Sequence, residues 1–90
     1  MGDCVYQAFK KAGYEYPKRL SSDGNEILQF CKEHNLKVHF GCTLSLDMKA
    51  CIVVARSTTG NHAEYFSSLR EFNNLYPNAY VVCVVELLSD

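Results

Sequence analysis

Cys4 follows Gly2-Asp3 at the head of a helix-forming stretch. Unpaired backbone N–H groups at a helix start create a positive field that favours a thiolate and depresses the thiol pKa. A thiolate so placed is a nucleophile, and the neighbouring N–H groups can hold an oxyanion. A second set of residues is Asn61-His62-Ala63-Glu64-Tyr65. In a strand, residues i and i+2 share a face, so His62 and Glu64 point to one side, roughly 7 Å apart at the backbone. The carboxylate can accept from one imidazole nitrogen and fix the tautomer, which leaves the other nitrogen to face a thiol. Each set also has a plainer meaning: a small apolar residue that begins a helix, and a solvated strand face beside a hairpin.

A third set is metallic. Cys31, His34, His39 and Cys42 offer four sulfur and nitrogen ligands within twelve residues, of the types that tetrahedral zinc accepts. Closing them round one ion would break the amphipathic pattern that accounts for Ile27 to Phe40. The other reading is a buried thiol, a helix-end histidine favourable to the dipole and a strand-surface histidine. The expectation is no metal and no other cofactor. Tyr6, Tyr14 and Tyr16 cluster beside the first helix, either as a groove for an extended peptide tail or as the edge of the core.

These residues need elements to position them. Val5, Ala8, Phe9 and Ala12 recur at helical spacing, so Cys4 to Ala12 reads as a helix with Asp3 as its N-cap and Gly13 as its end. A second helix starts near Asp23, where Asp23 and Glu26 have capping-box-like spacing, and ends around Asn35. Leu36 to Phe40 alternates and predicts a half-buried strand. The segment from Gly41 to Lys49 is a loop. Ala50 to Ala55 is a continuous apolar run, which predicts a strand covered on both faces. Ser57 to Asn61 carries hairpin chemistry, and His62 to Ser68 alternates again. Ser68 to Leu75 reads as a helical turn, Tyr76-Pro77-Asn78 as a turn, and Ala79 to Leu87 as a long β-branched strand. The fold class is α+β: two helices, then about four strands in a mostly antiparallel sheet, with the helices segregated to one side.

The 90 residues suffice for one core, so residues 1–90 are read as a single domain. Nine Lys+Arg against ten Asp+Glu leave a net charge of −1, with no basic surplus to neutralise phosphates. Neither nucleic acid nor a membrane is an expected partner. No signal peptide is visible, and no apolar run nears the roughly 18 residues that span a bilayer. The five cysteines are odd in number and not spaced like a secreted scaffold. Free thiols in a reducing, cytoplasmic compartment are expected.

Gly2-Asp3-Cys4-Val5-Tyr6-Gln7-Ala8-Phe9 resembles the nucleophile motif of the ovarian-tumour (OTU) family of deubiquitinating proteases. That motif runs Asp-Gly-Asn/Asp-Cys-apolar-aromatic-x-Ala/Ser-apolar. The family's histidine opens a short His-x-Asn/Asp segment late in the domain, matched here by His62-Ala63-Glu64. The chain is also similar to compact papain-like domains of RNA viruses and phages, which begin Asp-Cys-Val at the nucleophile helix. The resemblance implies a papain-like fold in which a helix bearing the cysteine packs on a sheet bearing the histidine. It implies Cys4 as nucleophile, His62 as general base and then acid, and Glu64 as the residue that orients His62. Asn73, Asn74 and Asn78 are the alternatives for that third role. The backbone N–H of Cys4, with Asp3 nearby, would form the oxyanion hole.

The leading expectation is therefore a minimal papain-like, OTU-like cysteine peptidase. Its substrate would be a protein or peptide, either a viral polyprotein junction or a ubiquitin-like tail. The nearness of Cys4 to the start suggests a domain excised from a longer polyprotein, or an inactive derivative. The alternative is a non-catalytic viral or phage binding module on the same fold that sequesters a host protein. A zinc-knuckle adaptor comes third.

Overall fold

The computed structural model describes residues 3–17, 24–40, 47–58 and 60–87. Within them the chain forms α1 (Cys4–Lys11), α2 (Gly24–Glu33), β1 (Lys37–Phe40), β2 (Cys51–Ser57), β3 (Gly60–Phe66), α3 (Leu69–Leu75) and β4 (Tyr80–Glu86). The fold is α+β. The four strands form one open antiparallel sheet in the order β1-β4-β2-β3.

Both helices of the N-terminal half end by the same device. Gly13 at the end of α1 has φ +91°. Its N–H bonds the Lys10 carbonyl, and the Tyr14 N–H bonds the Phe9 carbonyl at 2.8 Å. This pair of bonds is a Schellman motif, with the Tyr14 ring edge-on to Phe9 as its apolar clasp. At the end of α2 the same position falls to Asn35, φ +58°, and the Leu36 N–H bonds the Cys31 carbonyl at 2.8 Å. Asparagine tolerates this left-handed conformation better than most residues. The chain thus turns straight from α2 into β1. The cap expected at Asp23 lies outside the described residues, as do 41–46 of the expected loop.

β2 and β4 form the centre of the sheet and are buried on both faces. Ile52, Val54, Cys83 and Val85 meet Val5, Ala8 and Phe9 of α1 and Ile27, Phe30 and Cys31 of α2. Cys51, Val53 and Val84 meet Phe66 of β3 and Leu69 and Phe72 of α3 on the opposite face. The helices are therefore not segregated to one side, contrary to the sequence expectation. The stretch expected to be a helical turn is a helix of two turns. Its Ser68 Oγ accepts from the Glu71 N–H, and Glu71 Oε1 accepts from the Ser67 N–H and hydroxyl. A sheet whose two central strands carry apolar residues on both faces needs cover on both, and α3 supplies the second.

Tyr16 is buried, with its ring stacked on Phe9 at 5.2 Å, and Tyr14 stands edge-on to His34. Both tyrosines belong to the α1–α2 packing and not to an open groove.

Three thiols sit in these cores. Burial pushes Cys31 up to about 12, with Cys83 nearby adding to the shift. Burial pushes Cys51 up to about 11, helped by Glu71 and Glu86, and Cys83 up to about 11. Between pH 9 and 11 the unfolded chain has released protons that the folded chain still holds, so rising pH favours unfolding. The stabilising contribution is complete below about pH 9 and is lost as pH climbs through these values. The denaturant midpoint should therefore fall between pH 9 and 11. It should fall less steeply in the double variant Cys51→Ala/Cys83→Ala. Urea titrations at pH 8, 9, 10 and 10.5 measure both slopes, and equal slopes would exclude the buried thiols as the cause.

Candidate functional site

α1 begins at the margin of the sheet, because Val5, Ala8 and Phe9 on one stripe fix the helix over the face of β2 and β3. Cys4, one residue ahead of that stripe, meets the outer edge of β3. Its Sγ accepts the Ala63 N–H at 3.4 Å and lies 3.9 Å from the Asn61 carbonyl, to which the thiol donates. The sulfur thus bridges the two residues that flank His62. As the first residue of α1, Cys4 has no intrahelical acceptor for its own N–H.

Asp3 occupies the N-cap position but makes no side-chain cap bond. Its Oδ2 accepts from Gln7 Nε2 at 3.3 Å, and its carbonyl takes the Gln7 N–H. The expected capping role therefore fails, because Gln7, one turn on, competes for the carboxylate.

His62 and Glu64 share a face of β3, as alternation requires. His62 Nε2 and Glu64 Oε1 are 3.3 Å apart. Both side chains are solvent-accessible, with 59% and 40% of their surface exposed, so their mutual attraction is screened by water. Nδ1 of His62 has no hydrogen-bond partner among the described residues. Ala63 and Tyr65 turn toward α1 and α2, whereas Phe66 turns toward α3. By the same alternation His62 and Glu64 lie on the α3 face. Cys4 approaches them round the edge of the strand, and among the described residues no hydrogen bond joins thiol to imidazole. Asn73, Asn74 and Asn78 are exposed, and none of them is hydrogen-bonded to His62 among the described residues. Among the described residues the side chain within hydrogen-bond distance of His62 is Glu64.

The proposed zinc ligands do not converge. Cys31 is fully buried between the sheet and α1–α2. His34 stacks on Phe30 at 4.1 Å, with its Nδ1 3.0 Å from the Phe30 carbonyl. His39 lies on the opposite face of the sheet from Cys31, because its pair Val84 packs with α3, and its Nε2 is 3.0 Å from Glu86 Oε1. The sheet itself separates the two. Cys42 lies outside the described residues. Among the described residues no three His, Cys, Asp or Glu side chains could hold one ion.

Sequence reasoning missed the contacts that count most here. Nothing in the periodicity marks the Ala63 N–H and the Asn61 carbonyl as partners of Cys4, because the contact depends on β3 being an edge strand. Likewise the His39–Glu86 pair follows from the β1–β4 register. No helix among the described residues is long and apolar enough to cross a membrane. No protein-family model matches the chain, and neither a curated protein nor a solved structure matches it.

Two outcomes follow from this geometry. Brief iodoacetamide treatment at pH 6.5 should label Cys4 before Cys31, Cys51 or Cys83, since the last three are buried and hold their protons. Mass-spectrometric mapping reads the order, and a core thiol reacting first would contradict the packing. EDTA should leave the circular dichroism spectrum unchanged, because a structural zinc site would contribute directly to folding. A stoichiometric zinc signal in metal analysis would overturn this.

Proposed function

We propose that this chain is a small cysteine peptidase of papain-like, OTU-like character, acting on a peptide such as a polyprotein junction or a ubiquitin-like tail. One observation carries the reading. Cys4, 58 positions away in sequence, is seated between the two residues that flank His62, whose Nε2 faces Glu64. Chance packing of a small apolar residue does not require it to meet the strand beside a histidine that has a carboxylate partner.

The chemistry follows from the roles. Nδ1 of His62 takes the Cys4 proton, and Glu64 on Nε2 favours the resulting imidazolium. The thiolate attacks the scissile carbonyl carbon, and the Cys4 N–H at the start of α1 stabilises the oxyanion. As the C–N bond breaks, His62 protonates the leaving amine and a thioester remains. Water, giving a proton to His62, then attacks the thioester. The carboxylic acid leaves and the proton returns to sulfur. The reading requires the imidazole to turn from the α3 face toward the edge on which the sulfur sits. Catalytic hydrogen bonds of unliganded enzymes are often long and tighten when substrate binds.

The second reading is a non-catalytic binding module. The observation on its side is that the Cys4 sulfur already has two backbone partners, so it can serve simply to pin α1 to the sheet.

The alkylation rate of Cys4 across pH 5–9 separates the two. In the peptidase reading the rate depends on both His62 and Glu64. Glu64→Gln lowers the rate about ten- to a thousandfold, and His62→Ala lowers it further, because an orienting residue contributes less than the base. If wild type and both variants follow one ordinary thiol titration near pH 8.5, no Cys–His pair exists and the binding module takes its place.

A further inference from the structure

We infer that the free edge of β3 beside Cys4 binds the substrate main chain as an added strand, so that recognition is of an extended peptide backbone. The inference rests on the peptidase reading and names the substrate class. It starts from the hairpin register. Ser57 pairs with Gly60 across a two-residue turn, and Ala55, Val53 and Cys51 then pair with His62, Glu64 and Phe66. In an antiparallel ladder the N–H and C=O of one residue point the same way, and the direction alternates. Gly60, His62, Glu64 and Phe66 therefore direct their groups to β2, while Asn61, Ala63 and Tyr65 direct theirs outward. The contacts of Cys4 with the Asn61 carbonyl and the Ala63 N–H confirm the outward direction.

Cys4 uses only part of this edge. The Ala63 carbonyl and both backbone groups of Tyr65 have no hydrogen-bond partner among the described residues. They begin at the residue whose N–H holds the sulfur and extend about 7 Å along the strand, two residues of rise. An acceptor followed by a donor and an acceptor at strand spacing is complementary to one kind of ligand, another extended main chain. A peptide laid there exchanges both bonds with Tyr65 and gives an N–H to Ala63, and its next carbonyl then falls beside Sγ. An unpaired edge next to a nucleophile thus both orients the scissile bond and supplies sequence-tolerant affinity. A helical or tightly folded segment cannot use it.

The test uses two probes with the same warhead: acetyl-Val-Ala-Val-Gly vinyl sulfone and acetyl-Gly vinyl sulfone. The tetrapeptide should label Cys4 at least about tenfold faster, from two or more added hydrogen bonds worth about fivefold each. N-methylation of its Ala, whose N–H faces the Tyr65 carbonyl, should return the rate to that of acetyl-Gly vinyl sulfone. Tyr65→Pro removes an outward N–H without touching the β2 ladder, a position where proline is tolerated, and should cause the same loss. Equal rates for the methylated and unmethylated tetrapeptides, or a tetrapeptide no faster than acetyl-Gly vinyl sulfone, would overturn the inference, and the methylated pair decides the matter even where Tyr65→Pro does not fold. The pH profile of iodoacetamide labelling stands apart from these outcomes, since it reports whether the thiolate exists and not how a peptide docks.

Discussion

The structure turns on the two-sided burial of β2 and β4. Strands with apolar residues on both faces cannot be left half-covered, because each exposed face would return several large side chains to water. Ile52 and Val54 on one side and Cys51 and Val53 on the other commit the chain to a three-layer arrangement. α1 and α2 answer the first face through Phe9, Ile27 and Phe30, and the rings of Phe9 and Phe30 interlock with Tyr16. α3, with Leu69 and Phe72, answers the second. A short helix suffices there because β3 contributes Phe66 to the same cluster, edge-on to Phe72 at 5.3 Å.

That arrangement leaves chemistry to the margins. The interior of the sheet has its polar backbone groups paired and its thiols held protonated by burial. At the β3 edge the backbone still offers donors and acceptors, and the N-terminus of α1, whose first N–H groups have no intrahelical acceptors, arrives there. A thiol at the meeting of a helix start and a strand edge is surrounded by directional partners that no core position could offer. The opposite edge differs. β1 is only four residues long, and His39 on it is tied to Glu86. Short length and charged side chains are ordinary protections of an edge strand.

The elements were legible because their patterns are strong. The i, i+3, i+4 stripe of Val5, Ala8 and Phe9, the continuous run from Cys51 to Val54 and the alternation at Val38 each admit one secondary structure. The shared face of His62 and Glu64 followed from period two alone. Several features were hidden. The opposite placement of α3 depends on which face of the sheet Leu69 meets, and a seven-residue helix carries too little periodicity to tell. The strand order places β4 between β1 and β2, which no local signal announces. Cys31 and His39 are split instead by alternation along β1, where Val38 takes the face that Cys31 packs on and His39 takes the other. Asp3 looked like a cap by residue type, but the outcome depended on Gln7. The sequence paired Cys4 with His62 through a resemblance of motifs, whereas in the structure the contact runs through the peptide groups on either side of the histidine.

The strand order has a consequence for synthesis. A ribosome delivers Cys4 first, but its partners Asn61 and Ala63 come only after two-thirds of the chain has emerged. The last strand must then insert between β1 and β2 before the sheet beneath α1 is continuous. Local hairpin closure of β2 on β3 is fast, on the order of microseconds, whereas seating the helix requires closing a loop of 57 residues. The thiol is thus made early and given its setting late. During translation the thiol stays apart from the Asn61 and Ala63 peptide groups until β3 has been made.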